Sequence, residues 1–410
     1  RWTDAVNPWP VRCGAALKAP SLELEPDDDA DRLDLTGMKA WAIDNPWSLD
    51  PDDAVSFDEG CVWVHVADPA SAIIPGSPPD LEAVDRAATL YLPEGSIPML
   101  PDEALERFGL GLSVKSRSLS VRITLDPAGA ILEAEIVPAF IHATRLSYAA
   151  ADSFLDEGAL SELARIAGMR RAWRMAARAV DIDIPEVRVW LDGSEPRVDP
   201  IQESRSAGVV REMMILAGEA AARWAFDRSL PFPYYSQETP QESSSLPAGL
   251  AGEFAKRRLM KAGIAGPQPR AHCGLGVPFY AQFTSPLRRY PDLLAHQQAR
   301  AWLARRDPLP ADEISARLGR AAAASGRLRQ AERASQLHWT LARLGREPGW
   351  TGEGIVVAFG NGPATVYIPS LGLETKLRLD RAELNAVVPL RLSGVDIPRQ
   401  ESRFDVLSAR

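Results

Sequence analysis

The sequence predicts an α+β fold, with a mixed sheet and helices, followed by a small β-barrel of the OB type. In the first third of the chain, apolar and polar residues alternate as they do in half-buried strands. The middle of the chain contains long segments in which apolar residues recur at helical spacing. From residue 348 to 410, short strand-like segments are separated by Gly, Pro and Asn turns, which is typical of a small barrel.

The length of the chain predicts more than one domain. Its 410 residues are too many for one ordinary hydrophobic core. We expect an irregular leader over 1–35, a mixed domain over 36–347 and the barrel over 348–410. Because the sequence starts at Arg1 rather than at Met, we expect the leader to be the remainder of a longer N-terminal region. The acidic run EPDDDAD within the leader predicts a flexible, solvated segment.

The composition places limits on the kind of protein. A hydrophobic fraction of 46% and a charged fraction of 25% are ordinary for a globular protein in water. No apolar run approaches the roughly 18–20 residues of a membrane helix, so we expect no membrane partner. The three cysteines lie far apart and lack zinc-site spacing, which fits a reducing compartment. We therefore expect a cytoplasmic protein, and a monomer.

Charge is distributed unevenly along the chain. The net charge of −9 argues at first against a nucleic-acid partner. However, acid is concentrated in 23–59, whereas 255–261, 287–290 and 300–346 are locally basic. Phosphate binding needs a local positive surface rather than a positive total, so a nucleic acid is compatible with this pattern. Ordinary charged patches on a globular surface are the open alternative.

Individual elements follow from periodicity and turn residues. Residues 52–68 predict a β-hairpin that turns at DEG, and residues 116–141 predict a second one that turns at DPAGA. Residues 80–91 have helical spacing. Longer helices are predicted in the middle of the chain, namely two within 147–180 and one each over 204–228, 291–305 and 311–345.

Four aspartates lie between two strand-like segments and form the main candidate site, namely Asp44, Asp50, Asp52 and Asp53. Like charges this close repel by about 1–4 kcal/mol per pair at effective dielectric constants between 80 and 20. Pro51 favours a backbone turn that lets Asp52 and Asp53 face one site. Carboxylates without His or Cys favour Mg²⁺ or Mn²⁺ over zinc. A solvated, proline-rich turn remains the alternative on this segment alone.

Four further segments complete a pattern that resembles a known family, and they are VHVADPA (64–70), YLPEGSIPMLP (91–101), AHCGLGVPFYAQF (271–283) and TSPLRRYPDLLAH (284–296). Together with the spaced aspartates, they resemble the catalytic domain of the ribonuclease II / ribonuclease R family. The resemblance extends from about residue 32 to 345, and the C-terminal barrel resembles an S1 domain. It implies a ribonuclease II-type α+β catalytic domain followed by a barrel of the OB/S1 type.

The resemblance also implies an activity. Members of this family are Mg²⁺-dependent, processive 3′→5′ hydrolytic exoribonucleases. They degrade single-stranded RNA to nucleoside 5′-monophosphates and a short end product, in RNA turnover or processing. A catalytically degenerate RNA-binding regulatory protein of the same fold is the alternative. A metal phosphodiesterase acting on DNA or small nucleotides is a third reading, which would need no 2′-hydroxyl in its substrate.

The resemblance assigns roles to residues position by position. The four aspartates look like the metal ligands, and Asp52 resembles the position whose loss the family tolerates least. Tyr148 resembles an aromatic that stacks on a base next to the 3′ end. Arg288 resembles the arginine that contacts the scissile phosphate, with Arg289 beside it as an RNA contact. Glu332 resembles the glutamate that helps to hold the 3′-terminal nucleotide.

Each of these residues also has a structural alternative. Tyr148 could begin a helix and pack against Phe154, the arginines could be surface charges, and Glu332 could pair within its helix. Three further polar residues are expected in supporting positions. His65 is expected in the core, His296 in a packing or hydrogen-bonding position, and Asp292 in a salt bridge that orients a motif arginine.

The sequence also departs from the family pattern. The leader is too short for the two cold-shock-type barrels that commonly precede the catalytic domain. An arginine–histidine segment of the family reads YYSQETP (234–240) here, which puts its contacts in doubt. On the barrel, Lys376, Arg378 and Arg391 could grip the RNA backbone or could be ordinary surface residues.

Overall fold

A computed structural model describes residues 6–202, 204–240, 245–360, 362–379 and 382–407. The strands of the N-terminal part are β1 (Leu33–Asp34), β2 (Ala40–Asp44), β3 (Asp53–Asp58), β4 (Cys61–Ala67), β5 (Leu90–Leu92), β6 (Gly95–Ile97), β7 (Ser116–Leu125), β8 (Ile131–Ile141), β9 (Ala143–Ser147), β10 (Val187–Asp192), β11 (Glu195–Pro200), β12 (Tyr234–Ser236) and β13 (Ile264–Gly266). The strands of the C-terminal part are β14 (Thr351–Ala358), β15 (Ala364–Ile368), β16 (Leu373–Leu377), β17 (Val387–Asp396) and β18 (Glu401–Val406).

The helices are α1 (Trp9–Arg12), α2 (Pro78–Arg86), α3 (Asp102–Phe108), α4 (Tyr148–Asp152), α5 (Gly158–Ala176), α6 (Arg205–Asp227), α7 (Gly249–Leu259), α8 (Tyr290–Leu303) and α9 (Ala311–Gly345). None of the helices in the described ranges combines the length and apolar character needed to cross a membrane.

A mixed seven-stranded sheet organises the first domain, in the order β1-β8-β7-β4-β3-β2-β9. The pairs β1–β8 and β2–β9 are parallel and the others are antiparallel. Strands β2 and β3 pair only through Trp41 and Val55. Because the two strands separate beyond that pair, the loop that joins them, residues 45–52, opens at this end of the sheet.

Alternation along the central strands produces two hydrophobic cores. Ile43 and Val55 pack with residues of α5 and α6 on one face of the sheet. Their neighbours Ala42 and Ala54 point to the opposite face, where they join a second core that includes residues of α2, α8 and α9. The sheet is therefore covered on both faces. We call the loop of residues 45–52, together with the flanking Asp44 and Asp53, the aspartate loop.

The C-terminal strands form an antiparallel five-stranded sheet in the order β16-β15-β14-β17-β18. Its core contains Val366 and Leu390 together with Leu341 and Leu344 at the end of α9. Phe254 of α7 packs against Tyr367 of β15, with ring centroids 5.1 Å apart. The long helix α9 thus belongs to the cores of both parts of the molecule.

Most of the predicted elements are confirmed. Both hairpins are present, as β3–β4 and β7–β8, and so are the helices of the middle region and the five C-terminal strands. The helix expected over 80–91 ends at Arg86, because the chain then extends into β5. The β10–β11 hairpin and α7 were not predicted.

The expectation of a flexible acidic leader is wrong for the part that the structure describes. Asp27 pairs with Arg107 at 2.9 Å, and Asp29 pairs with Arg117 at 2.8 Å. The last residues of the leader, Leu33–Asp34, form an edge strand of the main sheet. The acidic run is fixed because arginines of the following domain neutralise it.

Candidate active site

The aspartate loop is held in place by backbone hydrogen bonds and by the guanidinium of Arg145. The amide of Leu110 donates to the carbonyl of Pro51 at 2.9 Å, and the amide of Ala67 donates to the carbonyl of Asp52 at 2.7 Å. Arg145 Nη2 donates to the carbonyl of Ser48 at 3.1 Å. Pro51 also restricts the backbone angle φ at its position, so the loop holds its carboxylates in a defined position.

Asp52 lies at the centre of the site and is 2% exposed. Its Oδ1 accepts a hydrogen bond from the amide of Leu287 at 2.8 Å, and its Oδ2 accepts one from Arg288 Nε at 3.1 Å. Burial nevertheless raises the pKa of Asp52, and the neighbouring carboxylates Asp50 and Asp53 raise it further. The structure therefore brings together residues 52 and 288, which sequence analysis had placed in one site.

Asp44, Asp52 and Asp53 line one cavity of about 260 Å³. Asp44 ends β2, and its Oδ1 accepts a hydrogen bond from the amide of Asn45 at 2.7 Å. Asp53 begins β3, and burial raises its pKa to about 7, against the opposing effect of Arg288 and with a further contribution from Asp44. Asp52 and Asp53 are desolvated and only partly neutralised by Arg288, so the cavity favours a bound cation.

Tyr91 connects two of the predicted residues and was not itself predicted to belong to the site. Its hydroxyl donates to Asp50 Oδ2, and its amide donates to Glu332 Oε1 at 3.0 Å. Burial raises the pKa of Asp50 and also that of Glu332. Tyr91 is the first residue of the segment YLPEGSIPMLP. The motif could therefore have identified Tyr91 as a candidate, but it does not indicate which residues Tyr91 contacts.

Tyr148 is the first residue of α4, and its ring packs against the core of the sheet. Burial raises the pKa of its hydroxyl to about 12, and the charges of Asp44 and Asp53 contribute to that rise. The side chain therefore faces the aspartates. Phe154, its suggested packing partner, is 48% exposed.

Arg289 is oriented by Asp292, as sequence analysis expected for a motif arginine. Arg289 Nη2 donates to Asp292 Oδ1 at 2.7 Å, and the same oxygen accepts the amide of Ser285 at 2.9 Å. His296 Nε2 lies 2.8 Å from the carbonyl of Phe283, which confirms its expected hydrogen-bonding position. This network fixes the start of α8, where both arginines of the motif lie.

His65 is confirmed as a core residue. It is fully buried, and its two ring nitrogens lie 3.0 Å from Ser56 Oγ and 2.8 Å from Ser120 Oγ. Burial lowers its pKa to about 3, so the ring is neutral at ordinary pH. It therefore belongs to the polar interior of the sheet rather than to the site.

The fit of a metal ion can be judged from the carboxylates themselves. Within the described ranges, no group of three or more His, Cys, Asp or Glu side chains is arranged to hold one ion. Asp52 is bonded to Arg288, and Asp50 is bonded to Tyr91. Asp44 and Asp53 remain at the cavity, and Mg²⁺ is commonly bound by one or two carboxylates together with substrate phosphates. The residues present fit such a site.

The barrel residues that could contact RNA are mostly exposed. Lys376 Nζ donates to Thr365 Oγ1 at 2.6 Å, so this lysine is held on the barrel surface. Arg378 and Arg391 are exposed. In the segment YYSQETP, Tyr235 stacks on His272 with ring centroids 5.7 Å apart, and its aromatic side chain therefore contributes to a local packing contact.

Comparison with known families defines the class of the protein. The model of the RNB domain matches residues 32–246 and 251–305, and the RNase II-type exonuclease C-terminal S1 domain matches residues 350–407. The fold is thus that of an RNB nuclease domain with a C-terminal S1 domain. The chain belongs to the ribonuclease II / ribonuclease R family, as its motifs indicated.

Individual relatives support this assignment. An uncharacterized ribonuclease of Synechocystis, sll1290, is 34% identical, and the match covers 98% of this chain and 64% of that protein. The chain therefore spans less than two thirds of the length of this relative. The structure of Mycoplasma genitalium RNase R in complex with ribose methylated single-stranded RNA aligns with a TM-score of 0.79 and 19% identity, over 95% of this chain and 74% of that one.

Not every structure with this fold is described as an active nuclease. Yeast Ssd1, described as a pseudonuclease, aligns with a TM-score of 0.71 and 18% identity, over 88% of this chain and 52% of that one. At such low identity, these structural likenesses establish the fold alone. Activity has to be argued from the side chains of this chain.

Proposed function

We propose that this protein is a 3′→5′ exoribonuclease that hydrolyses single-stranded RNA processively to nucleoside 5′-monophosphates and a short end product. The observation that carries the proposal is the ion pair of the buried Asp52 with the partly exposed Arg288, beside the cavity lined by Asp44 and Asp53. An arginine anchored by a buried carboxylate has a fixed direction and a permanent charge, which suits a phosphate ligand.

Mg²⁺, or alternatively Mn²⁺, would be held by Asp44 and Asp53 together with RNA phosphate oxygens, with Asp50 and Asp52 adjacent. When bound, such an ion supplies charge stabilisation for the phosphoryl group and a lower pKa for water. All four aspartates are thus proposed as the acidic environment of the metal. The raised pKa values of Asp52 and Asp53 beside the cavity support a divalent cation there, because it would stabilise their charged forms.

The other residues are proposed to position the substrate. Arg288 donates to a phosphoryl oxygen as negative charge develops in the transition state, and Arg289 adds a second positive charge at the start of α8. Tyr148 offers an aromatic face on which any base can stack, worth about 1–3 kcal/mol. Glu332 accepts hydrogen bonds from the 3′-terminal nucleotide. Tyr91 holds the side chains of Glu332 and Asp50 in position through its two hydrogen bonds.

The experiment that tests the proposal uses 5′-labelled single-stranded RNA and its DNA equivalent. Wild-type protein and Asp52→Asn are incubated with each strand in Mg²⁺, Mn²⁺ or EDTA. We expect stepwise shortening of RNA from the 3′ end, only with metal and only with Asp52. Asp58→Asn, a change at an exposed aspartate on the other end of β3, is the matched control and should retain activity.

The rival function is RNA binding without catalysis, and yeast Ssd1, described as a pseudonuclease, is the reason to consider it. RNA binding without shortening in any metal would establish that rival. Equal shortening of RNA and DNA would instead indicate a phosphodiesterase that needs no 2′-hydroxyl. The cytoplasmic location and the monomeric state remain predictions, which fractionation and light scattering would check.

A further inference from the structure

A tryptophan, an arginine and a second tryptophan form a stacked cluster on one side of the aspartate loop. The guanidinium carbon of Arg188 lies 3.8 Å from the ring centroid of Trp47 and 5.0 Å from that of Trp190. Trp47 belongs to the aspartate loop, whereas the other two lie on β10. The stack therefore joins the candidate active site to the β10–β11 hairpin, which has no role in the function proposed above.

The position of Trp47 in the chain limits its distance from the catalytic carboxylates. It is three residues from Asp44 and three from Asp50. Three residues span at most about 11 Å, even when fully extended. Phosphates along one strand of a stacked nucleic acid are about 3.4 Å apart, so Trp47 lies within a few nucleotides of RNA bound at the aspartates.

The hairpin is fixed against elements that carry other residues of the site. The amide of Leu191 donates to the carbonyl of Pro93, two residues beyond Tyr91, at 3.1 Å. Both strands contact α9, the helix of Glu332. Trp190 Nε1 donates to Asp199 Oδ2 at 2.7 Å, which fixes the indole across the hairpin. These contacts anchor the stack to the elements that carry Tyr91 and Glu332.

The exposed surfaces of the cluster match the two chemical parts of a nucleotide. Trp47 is 46% exposed, although it is a large aromatic on a proline-containing loop. Among the residues that the structure describes, Arg188 forms no hydrogen bond or ion pair with a protein acceptor. Its guanidinium stacks on the two indoles, and Asp199 on the paired strand attracts its charge. An aromatic face beside an arginine with available N–H donors suits a base and its phosphate.

We propose that Trp47 and Arg188 form a subsite for single-stranded RNA beside the catalytic cavity, in which a base stacks on Trp47 and a backbone phosphate accepts hydrogen bonds from Arg188. Trp190 supports the guanidinium from behind. The subsite is sequence-tolerant, because every base has an aromatic face. This inference rests on the proposed function for its substrate class, but binding and cleavage can be measured separately.

The test measures the binding of a fluorescein-labelled 12-nucleotide RNA in EDTA, where proposed metal-dependent cleavage does not occur. We expect Trp47→Ala to weaken binding roughly 10-fold and Trp47→Phe to weaken it less than about threefold, because phenylalanine keeps a stacking face. Arg188→Ala should weaken binding and reduce the slope of log K against log salt by about 0.7, the value for one phosphate contact on a single strand.

Trp302→Ala is the matched control. Trp302 is 40% exposed and also lies against an arginine, Arg228, at 5.0 Å from its ring centroid. It is near the end of α8, 14 residues after Arg288, and at a rise of about 1.5 Å per residue that end is on the order of 20 Å from the site. We expect its RNA binding to equal that of the wild type.

Length dependence separates a subsite from a structural support. Trp47→Ala should weaken binding of the 12-nucleotide RNA more than that of a nucleoside 5′-monophosphate, and the thermal midpoint should stay close to that of the wild type. Equal weakening for both lengths, or an unchanged salt slope in Arg188→Ala, overturns the proposal in favour of support for the loop. Unchanged binding of the longer RNA in Trp47→Ala also overturns it.

The outcome is distinguishable from the failure of the proposed function. If wild-type protein binds RNA through Trp47 and Arg188 but never shortens it, the subsite stands and the nuclease proposal fails. If wild-type protein shortens RNA and all stack variants match it in binding, the nuclease proposal stands and the subsite fails. Absence of RNA binding by the wild type overturns both.

Discussion

The molecule contains two groups of clustered aspartates that look similar in the sequence and differ in their surroundings. In the leader, Arg117 holds the pKa of Asp29 below its usual range, and Asp27 has its own arginine partner, Arg107. In the aspartate loop, burial raises the pKa of Asp53 to about 7, although Arg288 opposes the rise. The first group is stabilised in its charged form by arginines, whereas in the second the effect of burial outweighs the attraction of Arg288.

This difference shows that acidic clustering alone does not define a cation site. The leader run EPDDDAD is the denser cluster in the sequence, but its carboxylates already have guanidinium partners. Asp44 and Asp53 line a cavity together with Arg145, and the burial of Asp53 outweighs the opposing effects of Arg288 and Arg289 on its pKa. From this comparison we propose that the leader cluster contributes to the stability of the fold and the loop cluster to activity. Each proposal can be tested.

The largest expected effect on stability is at Asp68, which joins the leader to the main domain. Its buried carboxylate accepts from Arg32 at 2.8 Å and from Arg300 at 2.7 Å. Asp68→Ala leaves two buried guanidinium groups without this partner, so we expect a loss of about 3–5 kcal/mol in the free energy of unfolding. Urea denaturation of the wild type and the variant measures this loss. The kcat per folded molecule should stay the same, and a large fall in kcat would contradict the assignment.

The complementary change is Arg288→Lys in the loop cluster. Lysine keeps the charge that faces Asp52 but loses the planar fork that binds phosphate. We expect a fall in kcat of about 10²–10³-fold with little change in the thermal midpoint. The control is Arg117→Lys in the leader, which should leave RNA shortening unchanged. Equal losses in the two variants would remove the distinction between the clusters.

The sequence predicted much of the fold because its strongest signals are local. The hairpins β3–β4 and β7–β8 follow from alternation and turn residues, and α6 and α9 follow from helical periodicity. The β10–β11 hairpin was missed, although Asp192 and Gly193 form a turn signal between alternating segments. Neighbouring prolines and charges weakened that signal.

The site was predictable in its residue types but not in its contacts. The four aspartates were found from their spacing, and Tyr148 and Arg288 from the family resemblance. In the structure, Asp44, Asp52 and Asp53 line one cavity, and Arg288 pairs with Asp52. The contact between Tyr91 and Glu332 joins positions 241 residues apart. Pairing of that kind depends on how α9 packs against β5, which periodicity does not reveal.

Metal binding gives a further test of the comparison. If the loop cluster carries the uncompensated charge, Mg²⁺ should stabilise the folded wild type by about 2.7 kcal/mol at a concentration 100 times its dissociation constant. Thermal denaturation with and without EDTA measures this effect. Asp53→Asn should lose most of the stabilisation, whereas Asp29→Asn in the leader should keep it. Equal stabilisation of both variants would place the ion elsewhere.

The smallest predicted effect concerns the pH dependence of folding, to which a buried neutral group contributes in a different pH range from the leader carboxylates. His65 has an ordinary pKa of 6.5 when unfolded and about 3 when folded. Between these values the unfolded chain binds a proton that the native chain does not, so stability falls as the pH drops below 6.5. At pH 5 the loss from His65 is about 2 kcal/mol.

The variant His65→Asn removes this titration while keeping a polar side chain between Ser56 and Ser120. We expect the difference in unfolding free energy between pH 7 and pH 5 to shrink by about 2 kcal/mol relative to the wild type. Asp29 contributes with the same sign, because its lowered pKa also makes stability fall on acidification, but this loss occurs only at and below its ordinary pKa of 3.8. Asp29→Asn should therefore leave the pH 7 to pH 5 difference nearly unchanged. A pH dependence that shrinks in Asp29→Asn and persists in His65→Asn would mean that the leader carboxylates, not the buried imidazole, control stability in mild acid.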